Sequence, residues 1–460
     1  MDQNHSKPTE PQPGALTLAD LRDLIEQGSI DTIIMAAPDM QGRLQGKRVM
    51  PRFFLDTVLA EQSEGCNYLL AVDVEMTPVS GYDFASWDRG YGDFVFQPDL
   101  ATLRRAAWQD GAAILLCDIA GHDGRLAPVA PRSILKHQIA RLEAAGFSAY
   151  AATELEFLLF RNSYDECAKR GYRNLDPANL HNVDYSILGT AKVEPVIRRI
   201  RNAMEAAGIQ VENSKGECNL GQHEINFAYG RALDTADGHV LYKEAAKEIA
   251  QELECAISFM AKFNEREGNS CHIHLSLRDA ANRPVFAEGL GHSTLFGHFL
   301  AGLAAHAAEL SLLFAPNINS YKRYAIGSFA PTALVWGHDN RTCAFRVLGH
   351  GRSLRVENRL PGGDVNPYLA LAGMIAAGLD GIERALPPAG AQRGNAYHGD
   401  LPRVPRSMDH ALALWRGSDF VRTTFGDQVV AHYARMAEVE IEAFGAAVTD
   451  WERVRSFERM

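Results

Sequence analysis

The sequence lacks several features that mark whole classes of protein. No stretch is rich in clustered Lys and Arg, and the 460 residues carry a formal net charge of -11. Because nucleic-acid phosphates are bound by clustered basic side chains, we expect no nucleic-acid partner. The seven Cys include no CxxC pair, which is typical of thiols in a reducing compartment and predicts a cytoplasmic protein.

Long uninterrupted apolar runs are also missing. The most apolar stretch, residues 295–316, is interrupted by His298, His306 and Glu309, which favours a buried helix over a membrane span. The first 14 residues are polar, contain three Pro and show no secretion signal, so we predict a disordered tail over residues 1–15. Since no GxxxxGKS/T or GxGxxG loop occurs, a nucleotide would have to be held by metals and Arg side chains.

Short β-prone runs separated by turns dominate residues 16–121. Strands are predicted at 32–36, 46–49, 69–72, 93–96 and 113–117, with a helix at 51–61. This pattern predicts a small α+β domain. Residues 121–131 contain two Gly and two Pro, which indicates a linker to a second domain, residues 122–460.

The second segment alternates amphipathic helices with strands of another kind. Helical periodicity is clear at 132–145, 195–206, 235–263, 293–313 and 367–383. Five β-prone pieces between or after these helices carry charged or imidazole side chains at alternate positions: 153–160, 221–227, 271–277, 342–347 and 353–359. Since alternate residues of a strand share one face, each piece concentrates its charges on one side.

Four sets of polar residues use this spacing to gather charge. They are Glu154 with Glu156, His272 with His274, the trio Arg355, Glu357 and Arg359, and Glu217 with Glu224 around a Gly-containing turn. A single set of this kind is typical of a solvated sheet face. Four sets in one chain, alternating with apolar residues, instead predict charged faces that converge on a cavity.

Such a cavity would gather five carboxylates, which raise one another's pKa values or destabilise the fold unless divalent cations neutralise them. Oxygen-rich ligands with a single imidazole favour Mg²⁺ or Mn²⁺ over Zn²⁺. Guanidinium groups beside such ions are typical of sites that hold transferring phosphoryl groups. The residues alone therefore predict metal-assisted phosphoryl transfer in a sheet-lined cavity.

A series of motifs extends this prediction to a family. TELEF, ECNLGQHEI, GNSCHIHLSL, NSYKR, the NR of HDNRT, RVENR and NPYL occur in the order and spacing of the glutamine synthetases, which the sequence resembles from residue 16 to its C-terminus. The resemblance implies an α+β fold, with a small β-grasp-like N-terminal domain and a large catalytic α/β domain whose antiparallel strands form a funnel. It also implies a homo-oligomer, a dodecamer of stacked hexameric rings with active sites between subunits.

The resemblance assigns roles to the matching residues. Six match the ligands of two metal sites, with two to three divalent ions per active site: Glu156, Glu217 and Glu224 for the first, and Glu154, His272 and Glu357 for the second. Gly268, Arg323 and Arg359 match residues that bind glutamate and its phosphate, and Arg341 and Arg346 match the pair that neutralises the transferring phosphoryl group. The ATP-binding positions are matched by Glu212, Tyr229, His274, Ser276, Arg346, Arg352 and Arg355.

Two departures concern the nitrogen acceptor. Ammonia-using members carry a flap Glu where this sequence has Phe329 in IGSFAP, and their ammonium-binding Asp motif is missing from AVDVEMTPVSGY. Tyr185 matches the Tyr of the ammonium pocket, and Asp73 or Glu75 could partly replace the lost carboxylate. An aromatic ring cannot accept a proton, so this pattern favours a larger amine as acceptor.

The sequence therefore predicts an ATP-dependent carbon–nitrogen ligase. Glutamate would be activated as γ-glutamyl phosphate and joined to a primary organic amine, as in the γ-glutamyl-amine ligases that the sequence resembles. One alternative is a glutamine synthetase that uses ammonia despite its unusual flap. An alternative of another class is a catalytically silent relative that acts as a sensor or structural assembly.

Overall fold

The computed structural model describes residues 14–289 and 291–460. The predicted tail therefore lies outside the described residues as far as residue 13. Its last two residues are described: the Gly14 carbonyl accepts a hydrogen bond from the Arg105 amide (3.0 Å), and Ala15 forms a bridge to Arg104. These two residues lie against the N-terminal sheet.

The strands form two large sheets and one short hairpin. A six-stranded sheet contains β1 Thr32–Pro38, β2 Leu44–Val49, β3 Ser63–Cys66, β4 Asp93–Pro98, β5 Arg104–Arg105 and β6 Ala112–Ala120. A nine-stranded sheet begins with β7 Phe147–Phe160, β8 Val211–Gly216, β9 Gln222–Phe227, β10 Gly230–Arg231, β11 Ala256–Ser258 and β12 Cys271–Asp279. The hairpin pairs β13 Ala287–Glu288 with β14 Gly291–His292, and the larger sheet is completed by β15 Trp336–His338, β16 Phe345–Leu348 and β17 Arg355–Asn358.

Most of the α-helical residues lie in the second half of the chain. The α-helices are α1 Leu18–Glu26, α2 Pro51–Phe53, α3 Leu59–Glu61, α4 Pro131–Ala144, α5 Tyr164–Lys169, α6 Ile187–Ala191, α7 Glu194–Ala206, α8 Ala232–Glu252, α9 Thr294–His306, α10 Ser311–Phe314, α11 Pro367–Glu383, α12 Met408–Gly417, α13 Asp419–Phe425, α14 Asp427–Ala446 and α15 Asp450–Ser456. No helix in the described parts of the chain is both long and apolar enough to cross a membrane.

The smaller sheet has the order β2-β1-β6-β4-β3, with β5 also paired to β6. Its central strand, β6, pairs parallel with β1 and antiparallel with β4, and all nine of its residues are buried. The larger sheet has the order β15-β16-β17-β12-β7-β9-β8 and is antiparallel except between β15 and β16. Helices and strands are thus mixed as predicted, and the α+β fold is confirmed.

The larger sheet is covered by helices on one side. α4 and α8 pack on β7, and α11 packs against α4, α8 and α9. α11 begins as the sequence predicts, because the Asn366 side chain caps the Tyr368 amide and Pro367 occupies the first turn. Side chains on the other side of the strands face a cavity, which is where the polar alternation lies.

A buried ion network joins the smaller sheet to helices α4 and α8, which pack on the larger sheet. The Arg132 guanidinium on α4 contacts Asp118 of β6 (2.7 Å), Asp237 of α8 (2.9 Å) and Asp99 (2.8 Å). The hydroxyl of Tyr368 donates to Asp237 (2.7 Å). Breaking a buried network of this kind leaves uncompensated charge in the core, so these contacts fix the position of the N-terminal sheet.

Four predicted elements differ clearly from the structure. The predicted helix at 51–61 contains a π-helical segment, Phe54–Val58, between α2 and α3. The predicted strand at 69–72 is wrong, because Asn67–Leu70 forms a 3-10 helix, in which Leu70 is buried. The predicted helix at 235–263 ends at Glu252, since Glu254 takes a positive φ of 53° and β11 follows. The predicted helix at 293–313 is divided into α9 and α10. Hydrophobic periodicity alone does not show whether a short apolar run forms a strand or part of a helix.

Candidate active site

The register of the larger sheet brings the polar residues together. Glu156 of β7 is opposite Glu224 of β9, and Glu224 is opposite Lys215 of β8. On the other side of β7, Glu154 is opposite His272 of β12. Glu357 of β17 lies between His274 and Arg346 on its two neighbouring strands. Residues that are far apart in sequence therefore form adjacent rows on one face.

These rows line a cavity of about 670 Å³. Of the predicted site residues, those at the cavity wall are Glu154, Glu156, Tyr185, Glu217, Glu224, Gly268, His272, His274, Phe329, Arg341, Arg346, Arg355 and Arg359. Acidic and basic groups therefore share one open space, as the alternation predicts.

The first cluster consists of Glu156, Glu217 and Glu224. Each offers a carboxylate oxygen within 4.8 Å of the other two. Glu156 accepts hydrogen bonds from the Ser270 amide (2.7 Å) and the Gln222 side chain (3.1 Å), which orient it toward the cluster. The only cation within contact distance among the described residues is Lys215, which pairs with Glu217. Three carboxylates thus share one ammonium group.

The electrostatics of this cluster suit a divalent cation. Burial raises the pKa of Glu224 to about 7, against the opposing effect of Lys215. Burial and the neighbouring carboxylates Glu217 and Glu224 raise the pKa of Glu156 well above its usual range. A divalent ion would neutralise this repulsion, and a site built only from oxygen atoms is the type that Mg²⁺ and Mn²⁺ prefer.

The raised pKa gives a test by thermal unfolding in the presence of a chelator. Folded Glu224 keeps its proton up to about pH 7, whereas the unfolded side chain loses it near 4.5, so folding loses stability as the pH rises between these values. We expect Glu224→Gln to be more stable than wild type at about pH 8 by roughly 2–3 kcal/mol, and equal to it near pH 4. Mn²⁺ should raise the Tm of wild type above that of Glu224→Gln. A constant difference between the two proteins over this range would contradict the assignment.

The second cluster consists of Glu154, His272 and Glu357. His272 Nδ1 lies 3.5 Å from a Glu154 oxygen and 3.6 Å from a Glu357 oxygen. Two ligand atoms bound to one Mg²⁺ lie about 3 Å apart, so these separations fit a shared ion with little adjustment. The buried Nε2 atom of His272 has no hydrogen-bond partner, and burial lowers the pKa of this imidazole to about 4. His272 is therefore neutral, as a metal ligand must be.

His274 also lies beside Glu154, and its two ring nitrogens are both engaged. Its Nδ1 accepts a hydrogen bond from Arg355 Nε (3.1 Å), which leaves Nε2 to donate to Glu154 (2.9 Å). Although burial acts in the opposite direction, the hydrogen bonds from His272 and His274 lower the pKa of Glu154. His274, Glu154 and Glu357 each offer a ligand atom within 4.8 Å of the other two. Because both nitrogens of His274 already have partners, His274 orients Glu154, and His272 is the better candidate ligand.

Two arginines are fixed by Glu357 at the cavity wall. Arg346 Nη1 donates to one Glu357 oxygen (3.0 Å), and Arg359 Nη1 donates to the other. Arg359 also donates to the Phe329 carbonyl (3.2 Å) and the Arg341 carbonyl (3.2 Å). This guanidinium therefore connects the second carboxylate cluster to the segment that carries Phe329.

Arg341 differs from these two arginines. Its side chain lines the cavity, is exposed, and makes no hydrogen bond or ion pair with any residue in the described chain. It can therefore reach an anionic ligand without breaking an existing contact.

Gly268 lines the cavity, and Arg323 supports this part of the wall from behind. The Arg323 guanidinium is buried and donates to the carbonyls of Arg359 (3.0 Å) and Pro361 (2.9 Å) and to the Ser270 hydroxyl (3.2 Å). It lies behind the wall instead of lining it, so direct glutamate binding by Arg323 stays a prediction. A Cβ atom at Gly268 would lie 2.2 Å from the Ala261 carbonyl and 2.8 Å from the Arg323 side chain, which is why only Gly fits there.

Besides Glu357 and Arg323, which are buried behind the wall, six predicted residues lie outside it in the single chain. Glu212 lines a neighbouring cavity, Ser276 lies farther along β12, and Arg352 is exposed in a 3-10 turn. The hydroxyl of Tyr229 accepts from Arg278 (3.2 Å). Asp73 caps a turn by accepting from the amides of Glu75 (2.9 Å) and Thr77 (2.8 Å). The roles of all six stay predictions.

Several cavity residues were missed by the sequence reasoning. Lys215 and Gln222 alternate with the first cluster on β8 and β9, a signal that was available. Glu267 lies in the loop before Gly268, and Asp184 lies in an irregular loop before α6. No periodicity marks a loop residue, so their position could be found only from the fold.

Comparison with known proteins identifies the family. Residues 128–456 match the family model described as glutamine synthetase, catalytic domain. The chain belongs to the glutamine synthetase family. Its enzymes use ATP and divalent metal ions, which agrees with the two carboxylate clusters and the arginines of the cavity.

Two relatives carry names of glutamate–amine ligases. The gamma-glutamylethanolamide synthetase of Streptomyces coelicolor is 57% identical, and the match covers 100% of this chain and 99% of that protein. The glutamate–isopropylamine ligase of a Pseudomonas species is 39% identical, with 95% and 96% covered. A solved structure of GmaS in complex with ADP superposes with a TM-score of 0.84 at 27% identity, covering 96% of this chain and 100% of that one. The predicted carbon–nitrogen ligase is confirmed, and these relatives favour γ-glutamylamide formation over ammonia use.

Proposed function

We propose that the protein joins glutamate to a small primary amine at the expense of ATP, through γ-glutamyl phosphate. The observation that carries the proposal is the combination of two carboxylate clusters and several arginines in one cavity with an aromatic side chain, Phe329, at its edge. The clusters and arginines suit phosphoryl transfer to a carboxylate. The aromatic edge suits an organic acceptor better than ammonium.

We propose two or three Mg²⁺ or Mn²⁺ ions per site. Glu156, Glu217 and Glu224 would hold one ion, and Glu154, His272 and Glu357 would hold another. Bound ions of this kind neutralise the charge of phosphate oxygens. The protein holds two of these carboxylates in place by hydrogen bonds. Ser270 and Gln222 donate to Glu156, and His274 donates to Glu154.

The arginines complete the proposed phosphoryl site. Arg341 and Arg346 would contact the transferring group, and Arg359 would contact glutamate or its phosphate near Phe329. Arg355 lies beside His274, which places a further donor on the side proposed for ATP. Arg323, Gly268, Glu212, Tyr229, Ser276 and Arg352 are proposed to act in glutamate or nucleotide binding by family position alone.

The acceptor edge of the cavity is formed by Tyr185 and Phe329. Both residues have positive φ angles, 53° and 58°. Such angles are uncommon for aromatic residues, and residues with this strained backbone are often found at functional sites. Both rings are more than half exposed. They offer apolar surface to an alkyl group next to charged groups that could hold an amine, and so support a short alkylamine or amino alcohol as substrate.

An acceptor panel tests this proposal. With glutamate, ATP and Mg²⁺, phosphate release should be stimulated by ethanolamine, methylamine or isopropylamine at least about tenfold more, as kcat/KM, than by ammonium. Putrescine, a dication, should be a weaker acceptor. A clear preference for ammonium would instead identify an ordinary glutamine synthetase, and no release with any acceptor would indicate a silent relative.

Replacing the flap residue tests the role of Phe329 separately. Phe329→Glu should raise ammonium-dependent phosphate release and lower amine-dependent release, each by about tenfold, because a carboxylate can hold and deprotonate ammonium whereas an aromatic ring cannot. Phe329→Leu is the matched control, since it changes the shape without adding charge. Equal behaviour of both variants would remove Phe329 from acceptor selection.

Assembly, location and domain division are proposals from family membership and composition. We propose stacked hexameric rings in which Asp73 and Glu75 of one subunit approach the cavity of another. The seven free thiols support a cytoplasmic location. We also keep the division into an N-terminal domain, residues 16–121, and a catalytic domain, residues 122–460.

A further inference from the structure

A carboxylate, Asp184, and an ammonium group, Lys215, lie next to the acceptor edge formed by Tyr185 and Phe329. The family motifs assign no role to either residue. Asp184 precedes Tyr185 in the loop before α6, lines the cavity, and is about one third exposed at its side chain. Lys215 Nζ lies 3.6 Å from an Asp184 oxygen, pairs with Glu217, and lies 4.8 Å above the centre of the Tyr185 ring. An alkylammonium group is thus already enclosed by two carboxylates and an aromatic face.

The fold holds this arrangement in place. Val183 is fully buried, and a Cβ atom on Gly216 at the end of β8 would lie 2.3 Å from the Val183 carbonyl. The absence of a side chain at Gly216 therefore lets the loop pack directly on β8, beside Lys215. The Asp184 amide donates to the Asn182 side chain (2.8 Å), which fixes the turn. The carboxylate of Asp184 also accepts a hydrogen bond from Cys218 Sγ (3.6 Å), so the backbone of this loop is held by packing and its carboxylate by Cys218 and Lys215.

We propose that Asp184 is a specificity-determining residue that binds the ammonium group of the amine acceptor, and that Lys215 occupies this place when no acceptor is bound. The Lys215 side chain ends in the same chemical group as a protonated primary amine, and carboxylates with an aromatic face are the usual receptors for such a cation. Asp184 thereby supplies within one subunit the carboxylate that is lost at the position of Phe329. This inference rests on the proposed function.

The position of Lys215 agrees with displacement by the acceptor. Its partner Glu217 belongs to the first carboxylate cluster and would be shared with a divalent ion, which would weaken the Lys215 contact. The lysine side chain is one fifth exposed, and its four-carbon chain has several rotatable bonds. An incoming ammonium group can therefore take its place beside Asp184 and Tyr185 without disturbing the sheet.

The test compares charged and neutral acceptors in the same variants. In Asp184→Asn the KM for ethanolamine and for methylamine, both protonated near neutral pH, should rise about 10- to 100-fold. The KM for hydroxylamine, which is largely neutral there, should stay within about twofold, as should the KM values for ATP and glutamate. Asp184→Glu should recover part of the lost affinity, and Asp165→Asn on α5, an exposed residue outside the cavity, is the matched control.

The outcomes distinguish failure of the Asp184 proposal from failure of the proposed amine ligase function. If wild type prefers an organic amine and Asp184→Asn leaves the KM for ethanolamine unchanged, Asp184 does not bind the acceptor although the proposed function stands. Equal losses with hydroxylamine and ethanolamine would likewise overturn it, since they would indicate a general distortion of the cavity. If wild type uses no organic amine, both proposals fall. Unchanged Tm values for Asp184→Asn and Asp184→Ala confirm that the variants fold.

Discussion

Glu156→Gln is expected to lower the rate of amine-dependent phosphate release by about 100- to 1000-fold while raising the stability of the metal-free protein. The carboxylate is buried beside Glu217 and Glu224, and these neighbours together with burial raise its pKa well above the usual range. Charge at this position therefore costs folding free energy when no cation is bound. The neutral amide removes that cost and also removes a proposed metal ligand.

The substitution is well suited to separate function from folding. Gln keeps an oxygen that can accept from the Ser270 amide, which now donates to Glu156 (2.7 Å). Turnover is measured over a range of Mg²⁺ and Mn²⁺ concentrations, and stability by thermal unfolding with a chelator. Glu383→Gln, an exposed carboxylate at the end of α11, is the matched control and should change neither. Activity near the wild-type level would remove Glu156 from the metal site.

The convergence of these carboxylates could be predicted from strand spacing, whereas their pairing across neighbouring strands could not. Alternation within residues 153–160 and 271–277 shows that Glu154, Glu156 and His272 each share a face with a second polar residue. The register between neighbouring strands then decides which of these polar faces lie side by side. A shift of one residue would turn the side chains of a strand to the opposite face of the sheet. The pairing of Glu156 with Glu224 and of Glu154 with His272 is therefore information from the folded sheet.

Loops and buried supports were the least predictable parts of the site. Asp184 has no periodic neighbour in sequence, and only the packing of Val183 on Gly216 brings it to the cavity. Arg323 belongs to a family motif, yet its guanidinium is directed to backbone carbonyls behind the wall. A motif indicates that a residue type is needed, and it does not distinguish a ligand contact from support of the chain.

The same limit applies to the elements of the fold. The helix at 367–383 was predicted from its periodicity with its correct ends. Its start is also fixed locally, because Asn366 and Pro367 form a start signal that does not depend on the rest of the chain. The stretch 69–72 carries only apolar residues, whose burial can be achieved in a strand or in a turn. Its 3-10 helix follows from tertiary packing, which overrides a weak local preference.

Arg341→Met is expected to reduce kcat for the amine ligase reaction by about 100- to 1000-fold with little change in Tm. Its guanidinium lines the cavity and has no partner among the described residues, so removing it breaks no contact of the fold. Arg346, proposed for the same step, is ion-paired with Glu357 and Asp339, and Arg346→Met should lower both kcat and stability. Comparing the two separates the charge that acts on the phosphoryl group from the charge that holds Glu357.

The role of Arg341 follows from which kinetic constants change in Arg341→Met. A group that neutralises the transferring phosphoryl group acts most strongly in the transition state, so its loss lowers kcat and kcat/KM alike while the KM for ATP changes little. A group that only binds ATP would raise KM and leave kcat unchanged. Arg22→Met, an exposed arginine on α1, is the surface control. If Arg341→Met alters only the KM for ATP, Arg341 belongs to nucleotide binding, and stabilisation of the transferring group would then depend on Arg346 and Arg359.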